Sequence, residues 1–188
     1  MIKTIPGTLL PFKEGEARDT FKAITPIFTV TSGLTLAQMC RLTGLNASTI
    51  QNWIKRGWVA SPKDKRYGEE QAVRIMLINS LRASLQMDQI QHLMTYINGS
   101  VTDRSDDIIN DTELFNVFCK IIWISDTHNT FSKTTIKRII DEELRDYSGP
   151  LENSKQRLSS ALLVMTLAYL SAQLRAETDE EFKKIINT

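Results

Sequence analysis

Between Leu34 and Tyr67 the chain uses one local pattern twice: a capping residue, a short run with helical spacing, and a glycine. Thr35 is a good N-cap, and Gln38 three residues later completes a capping box. Leu36, Met39, Cys40 and Leu42 then recur at helical intervals. Gly44 supplies the positive φ that a helix end needs. Asn46 is expected to cap a second helix, with Ile50, Trp53 and Ile54 inward and Ser48, Gln51, Asn52 and Lys55 outward. Gly57 closes it. Trp58, Val59 and Pro62 form the apolar base of a cationic loop, Lys63-Asp64-Lys65-Arg66-Tyr67. The pattern predicts two short helices about a tight turn, followed by a wing.

The charge is placed to match. The net charge is only +1, but residues 34–97 hold eight Lys/Arg against four Asp/Glu. Residues 98–188 hold eleven against fifteen. The basic excess lies on the two-helix run, where phosphates would be met, and the acidic half would repel them.

More helices follow. Glu69 and Glu70 suit the positive end of a third helix, which Ala72, Val73, Ile75, Met76, Ile78 and Leu81 carry to about Leu85. Met87–Tyr96 is a fourth, closed by Asn98-Gly99. Residues 98–110, with Asp103, Asp106 and Asp107, read as a linker. Beyond it, Leu114–Trp123 and Ile136–Tyr147 mark two helices, and Leu158–Leu174 a third. Two apolar stripes run along that third helix, so it is central in a bundle or shared between subunits. A last short helix is expected over Asp179–Ile186. Residues 1–33, with Pro6, Pro11 and Pro26, read as an arm that packs on a neighbouring element.

Several function classes find no support. Cys40 and Cys119 are too few and too separate for a disulfide framework and read as buried thiols in a reducing cytosol. His92 and His128 lack partners at metal-ligand spacing. The acidic residues Asp103, Asp106, Asp107, Asp111 and Glu113 do not fit a calcium loop. There is no Gly-x-Ser-x-Gly, phosphate-binding loop or dinucleotide fingerprint. No catalytic residue, metal or cofactor is expected. Leu158–Leu174 is short for a membrane span and carries Ser159, Ser160, Thr166, Ser171 and Gln173, so a soluble, cytoplasmic chain without a membrane partner is expected.

The elements from 34 to 97 resemble the winged-helix domain of the MerR family. The resemblance is carried by Thr35-Leu36, Met39, Leu42-Thr43-Gly44-Leu45, Thr49-Ile50, Trp53 and Gly57, by Lys65-Arg66-Tyr67, and by Leu85-Gln86-Met87-Asp88-Gln89-Ile90. Thr49–Gly57, Lys65–Tyr67, Tyr96–Gly99 and Asp106–Ile109 are also similar to an uncharacterised bacterial branch with a MerR-like helix-turn-helix. The resemblance implies a transcriptional regulator that binds double-stranded DNA. Ser48 and Gln51 stand where that family commonly has Arg. Gly99 and an acidic segment stand where it continues into a long coiled-coil helix.

The residue chemistry agrees with such a role. Gln51 and Asn52 can each pair bidentately with adenine, and Ser48 lies near the helix start. Arg41, Thr49, Lys55, Arg56, Lys63, Lys65, Arg66 and Tyr67 suit phosphate or wing contacts. The expectation is an all-α chain with a small β-wing: an arm (1–33), a winged helix-turn-helix (34–97), a linker (98–110) and a C-terminal helical domain (111–188). A homodimer is expected, because one module buries little DNA. Two alternatives stand beside it. One is a protein-docking adaptor. The other is a sensor with a small-molecule effector held by Phe115, Phe118, Trp123 and Tyr169 of the C-terminal domain.

Overall fold

The computed structural model describes residues 4–11, 20, 24–26, 28, 32–99 and 107–187. Among these lie α1 (Leu36–Thr43), α2 (Ala47–Lys55), α3 (Glu69–Leu81), α4 (Met87–Asn98), α5 (Asp111–Thr127), α6 (Lys133–Glu143) and α7 (Ser154–Ile186). The protein is mostly helical, as expected. No strand occurs among the described residues. What was expected as a β-wing consists of isolated antiparallel bridges, Lys63↔Arg66 and Leu34↔Tyr67.

The centre of the molecule is α3. Every residue from Ala72 to Ile78 is buried, as are Ser80 and Leu81. A helix apolar around most of its circumference must be covered on several sides. Here α1 covers one side, while α5 and α7 cover others. Arg74 is the one charge in this buried run, and it pairs with Asp111 at the start of α5. A single apolar cluster extends from Leu34 through α3 into α5, α6 and α7.

The N-terminal segment packs on the same helix. Asn79 Nδ2 donates to Gly7 O at 3.0 Å and to Thr43 O at 2.9 Å. Gly7 has φ +73°, and a Cβ there would lie 2.0 Å from Met76 O. That close approach explains the glycine. Of the expected arm, residues 1–3, 12–19, 21–23, 27 and 29–31 lie outside the described residues.

Of the expected linker, residues 100–106 lie outside the described residues. Its ends are anchored. The Asn98 side chain donates to Ile109 O and accepts from Ile109 N at 3.3 Å, and the Tyr147 hydroxyl donates to Ile108 O. Asn110 caps α5 by accepting from Glu113 N at 2.9 Å.

α7 differs from expectation. The stretches Leu158–Leu174 and Asp179–Ile186 are one continuous helix of 33 residues. No glycine or proline interrupts residues 154–186. Leu158, Leu162, Met165 and Tyr169 are buried in the bundle, whereas residues 171–187 are half-buried or exposed. By length and composition alone α7 could cross a bilayer, although 44% of its most apolar window is buried inside the molecule.

Candidate nucleic-acid interface

α1 starts at a complete capping box: Gln38 N donates to Thr35 Oγ1 at 3.3 Å, and Thr35 N donates to Gln38 Oε1 at 2.8 Å. Two groups at the helix start are thereby satisfied reciprocally. α1 ends at Gly44, φ +71°, whose N–H donates to Cys40 O at 2.8 Å. Thr43 locks the turn through its hydroxyl, which donates to Met39 O at 2.7 Å.

Asn46 occupies the N-cap position of α2 with extended backbone, but its side chain makes no capping bond. The expectation of a side-chain cap there is corrected. The other end is stronger. Trp58 N donates to Trp53 O, and Gly57 N to Ile54 O, both at 2.9 Å. With Gly57 at φ +74° this is a Schellman closure. It turns the chain sharply and seats Val59 in the core.

α2 is divided into two faces. Ile50 and Trp53 are buried, each contributing on the order of 2–3 kcal/mol. Ser48, Gln51, Asn52, Lys55 and Arg56 are exposed. Their spacing of three and four places them on one side of the helix, away from the core. Arg56 is held at the end of this row. Its Nε donates to Asn52 Oδ1 at 3.4 Å, and its guanidinium lies 5.2 Å from the Trp58 ring centroid. Asn52 and Arg56 are therefore coupled, which the sequence spacing permits but does not reveal. Thr49 is half-buried, and Arg41 is exposed at the end of α1.

The cationic loop folds back on itself. Arg66 N donates to Lys63 O at 2.8 Å across Asp64 and Lys65. Both central residues have positive φ, 49° and 59°. This is the sense of a type I′ turn, usually built from Asn-Gly. Lys63, Lys65 and Arg66 are exposed. The Arg66 guanidinium donates to Gly33 O at 3.1 Å, so it also braces the loop.

Tyr67 is placed differently from the expectation of a wing contact. It exchanges two backbone bonds with Leu34, at 2.7 and 2.8 Å, and is only 3% exposed. Burial pushes its phenol up from 10.0, with a smaller contribution from Cys40. Tyr67 is a core residue that roots the loop. Gly33, at φ +99°, permits this pairing, because a Cβ there would lie 2.8 Å from Tyr67 O.

Two of the four aromatic residues considered for a ligand pocket pack on each other. Phe115, Phe118 and Tyr169 are buried, Trp123 is half-buried, and the Phe118 and Tyr169 rings meet edge-on at 5.9 Å. Among the described residues no three His, Cys, Asp or Glu side chains come together as a metal site. Of the acidic residues near the linker, Asp111 is committed to Arg74, while Asp103 and Asp106 lie outside the described residues.

The profile of a family described as "Domain of unknown function (DUF1836)" matches residues 29–118, a span that includes the whole interface and α3. "Uncharacterized protein YkrK" of Bacillus subtilis (strain 168) is 33% identical over 79 residues. That alignment covers 40% of this chain and 34% of the relative, so the chain spans about a third of the length of the protein it matches. No solved structure matches significantly. These similarities support an uncharacterised bacterial family, and neither description states an activity.

Proposed function

We propose that the chain is a sequence-specific, double-stranded-DNA-binding transcriptional regulator, with a MerR-like winged helix-turn-helix over residues 34–97. The observation that carries this reading is the two-faced α2. Its apolar side is held in the core by Ile50 and Trp53, and it presents Ser48, Gln51, Asn52, Lys55 and Arg56 to solvent. Gln51 and Asn52 would read base edges in the major groove, with Ser48 beside them. Arg41, Lys55, Arg56, Lys63, Lys65 and Arg66 would meet the phosphates. The coupling of Asn52 to Arg56 gives the two a shared orientation, so that a base contact by one would fix a backbone contact by the other. In this reading the protein is a cytoplasmic homodimer, is not an enzyme and needs no cofactor, and residues 111–188 serve dimerisation or an effector.

The test is selection from a random pool of duplex DNA by the purified protein, followed by sequencing. The reading predicts an enriched motif with two related half-sites. No enrichment at low salt would contradict it and favour a protein-docking role for the same surface.

A further inference from the structure

We propose that Arg56 is a base-reading residue and that its target is a guanine. This rests on the DNA reading above and moves Arg56 from the phosphate set to the base-reading set. Arg56 is the C-cap of α2, one turn beyond Asn52 on the exposed side. Two groups hold its guanidinium. Asn52 Oδ1 accepts from Nε at 3.4 Å, and the Trp58 ring lies beneath the guanidinium carbon, 5.2 Å away at its centroid. The Trp58 shelf is itself anchored. Its backbone N–H closes the helix end on Trp53 O at 2.9 Å, and its half-buried side chain packs against the core.

What these contacts leave free selects the ligand. A guanidinium carries N–H donors and no acceptor. With the Nε hydrogen given to Asn52 and one face on Trp58, the end formed by Nη1 and Nη2 remains. That end is a planar fork of donors, matched by two acceptors side by side. Guanine alone among the bases offers such a pair on its major-groove edge, as O6 and N7. Adenine sets a donor beside N7, cytosine offers a donor, and thymine has one carbonyl beside a methyl. A phosphate would also accept the fork, but it tolerates a loose cation. Lys55, one position earlier, is exposed and has no side-chain partner among the described residues, which suits that task. Arg56 is instead drawn back toward Asn52 and the reading row. A side chain held before contact loses less freedom on binding, and a base edge demands one direction.

The experiment uses the full chain and the duplex it selects from a random pool. Affinity is measured for that duplex and for copies with 7-deazaguanine, which lacks the N7 acceptor, at one guanine at a time. Wild type is compared with Arg56→Lys, which keeps the charge and loses the fork. Arg56 is exposed, and circular dichroism checks the fold of the variant. The proposal predicts a guanine in the selected motif whose 7-deaza replacement weakens wild type about tenfold. Arg56→Lys should bind the unmodified duplex about tenfold more weakly, respond little to the replacement and keep the wild-type salt dependence. A motif in which no guanine is sensitive would overturn the proposal. So would equal sensitivity in both proteins, which assigns the guanine to another residue. Wild-type affinity in Arg56→Lys would also overturn it and return Arg56 to the phosphates. Each of these leaves DNA reading intact, whereas the absence of any selected motif would overturn both.

Discussion

Arg74 reaches from the middle of α3 to the first turn of α5, its Nη1 lying 3.0 Å from Asp111 Oδ1 and 3.4 Å from Oδ2. The side chains are 6% and 21% exposed. Removing one partner strands the other in a low-dielectric site, so Asp111→Ala should cost about 3 kcal/mol. Replacing both partners, as Arg74→Met/Asp111→Leu, should cost much less than the single change, because no uncompensated charge remains. Urea denaturation of the three proteins checks this. Equal losses in the single and double variants would show that the pair itself contributes the stability.

Two glycines with nearly the same φ should respond differently to alanine. At Gly57, φ +74°, nothing lies within 4 Å of a new Cβ, so only the left-handed backbone is penalised, by about 1–2 kcal/mol. At Gly7, φ +73°, the Cβ would meet the Met76 carbonyl, and the expected loss is about 2–5 kcal/mol. Thermal melts of Gly57→Ala and Gly7→Ala should rank in that order.

Much of this was legible in the sequence, and the failures have physical causes. Thr35, Gln38, Gly44 and Gly57 announced the ends of α1 and α2 through local chemistry, which needs no distant partner. The placement of Tyr67 was not local. Its inward direction is set by pairing with Leu34, thirty-three residues earlier, and a cationic neighbourhood suggested the opposite. The continuity of α7 was masked by the acidic run 177–181, which broke the apolar pattern without breaking the helix. The absence of glycine and proline was the signal to follow. The Arg74 pair could have been suspected from a lone charge in an apolar run, but Asp111 lies too far along the chain for spacing to identify it.

The tip of the cationic loop should separate stability from binding. Asp64 and Lys65 both adopt positive φ without being glycine. Lys65→Gly relieves the left-handed penalty at the second position and should stabilise the fold by about 0.5–1 kcal/mol after the entropy of glycine in the unfolded chain is counted. It also removes a cation. If the loop meets phosphate, the same variant binds DNA more weakly and with a shallower salt dependence, by about one unit of slope. Denaturation and fluorescence anisotropy on one preparation read both effects.

The two thiols should differ in reactivity. Burial pushes the Cys119 thiol well up from 9.0, opposed in part by a hydrogen bond with Thr20, while Cys40 is only half-buried. Iodoacetamide should modify Cys40 in the native protein and reach Cys119 only on unfolding. Burial also raises the Tyr67 and Tyr169 phenols above 10.0. These groups keep their protons in the folded chain and lose them sooner in the unfolded one. Their contribution is complete below about pH 9 and declines as the pH climbs past 10. A stability profile that stayed flat to pH 11 would contradict the burial.

The central claim is that the exposed face of α2 reads DNA sequence. The most direct measurement is the affinity of wild type and Gln51→Ala/Asn52→Ala for the selected duplex and a scrambled one, each at two salt concentrations. The account predicts that the variant loses most of the discrimination, about 1–3 kcal/mol for each bidentate pair removed. It should keep a salt-dependent affinity for both duplexes, because Lys55, Lys63 and Lys65 are untouched. Discrimination unchanged in the variant would contradict the account and move sequence reading away from α2.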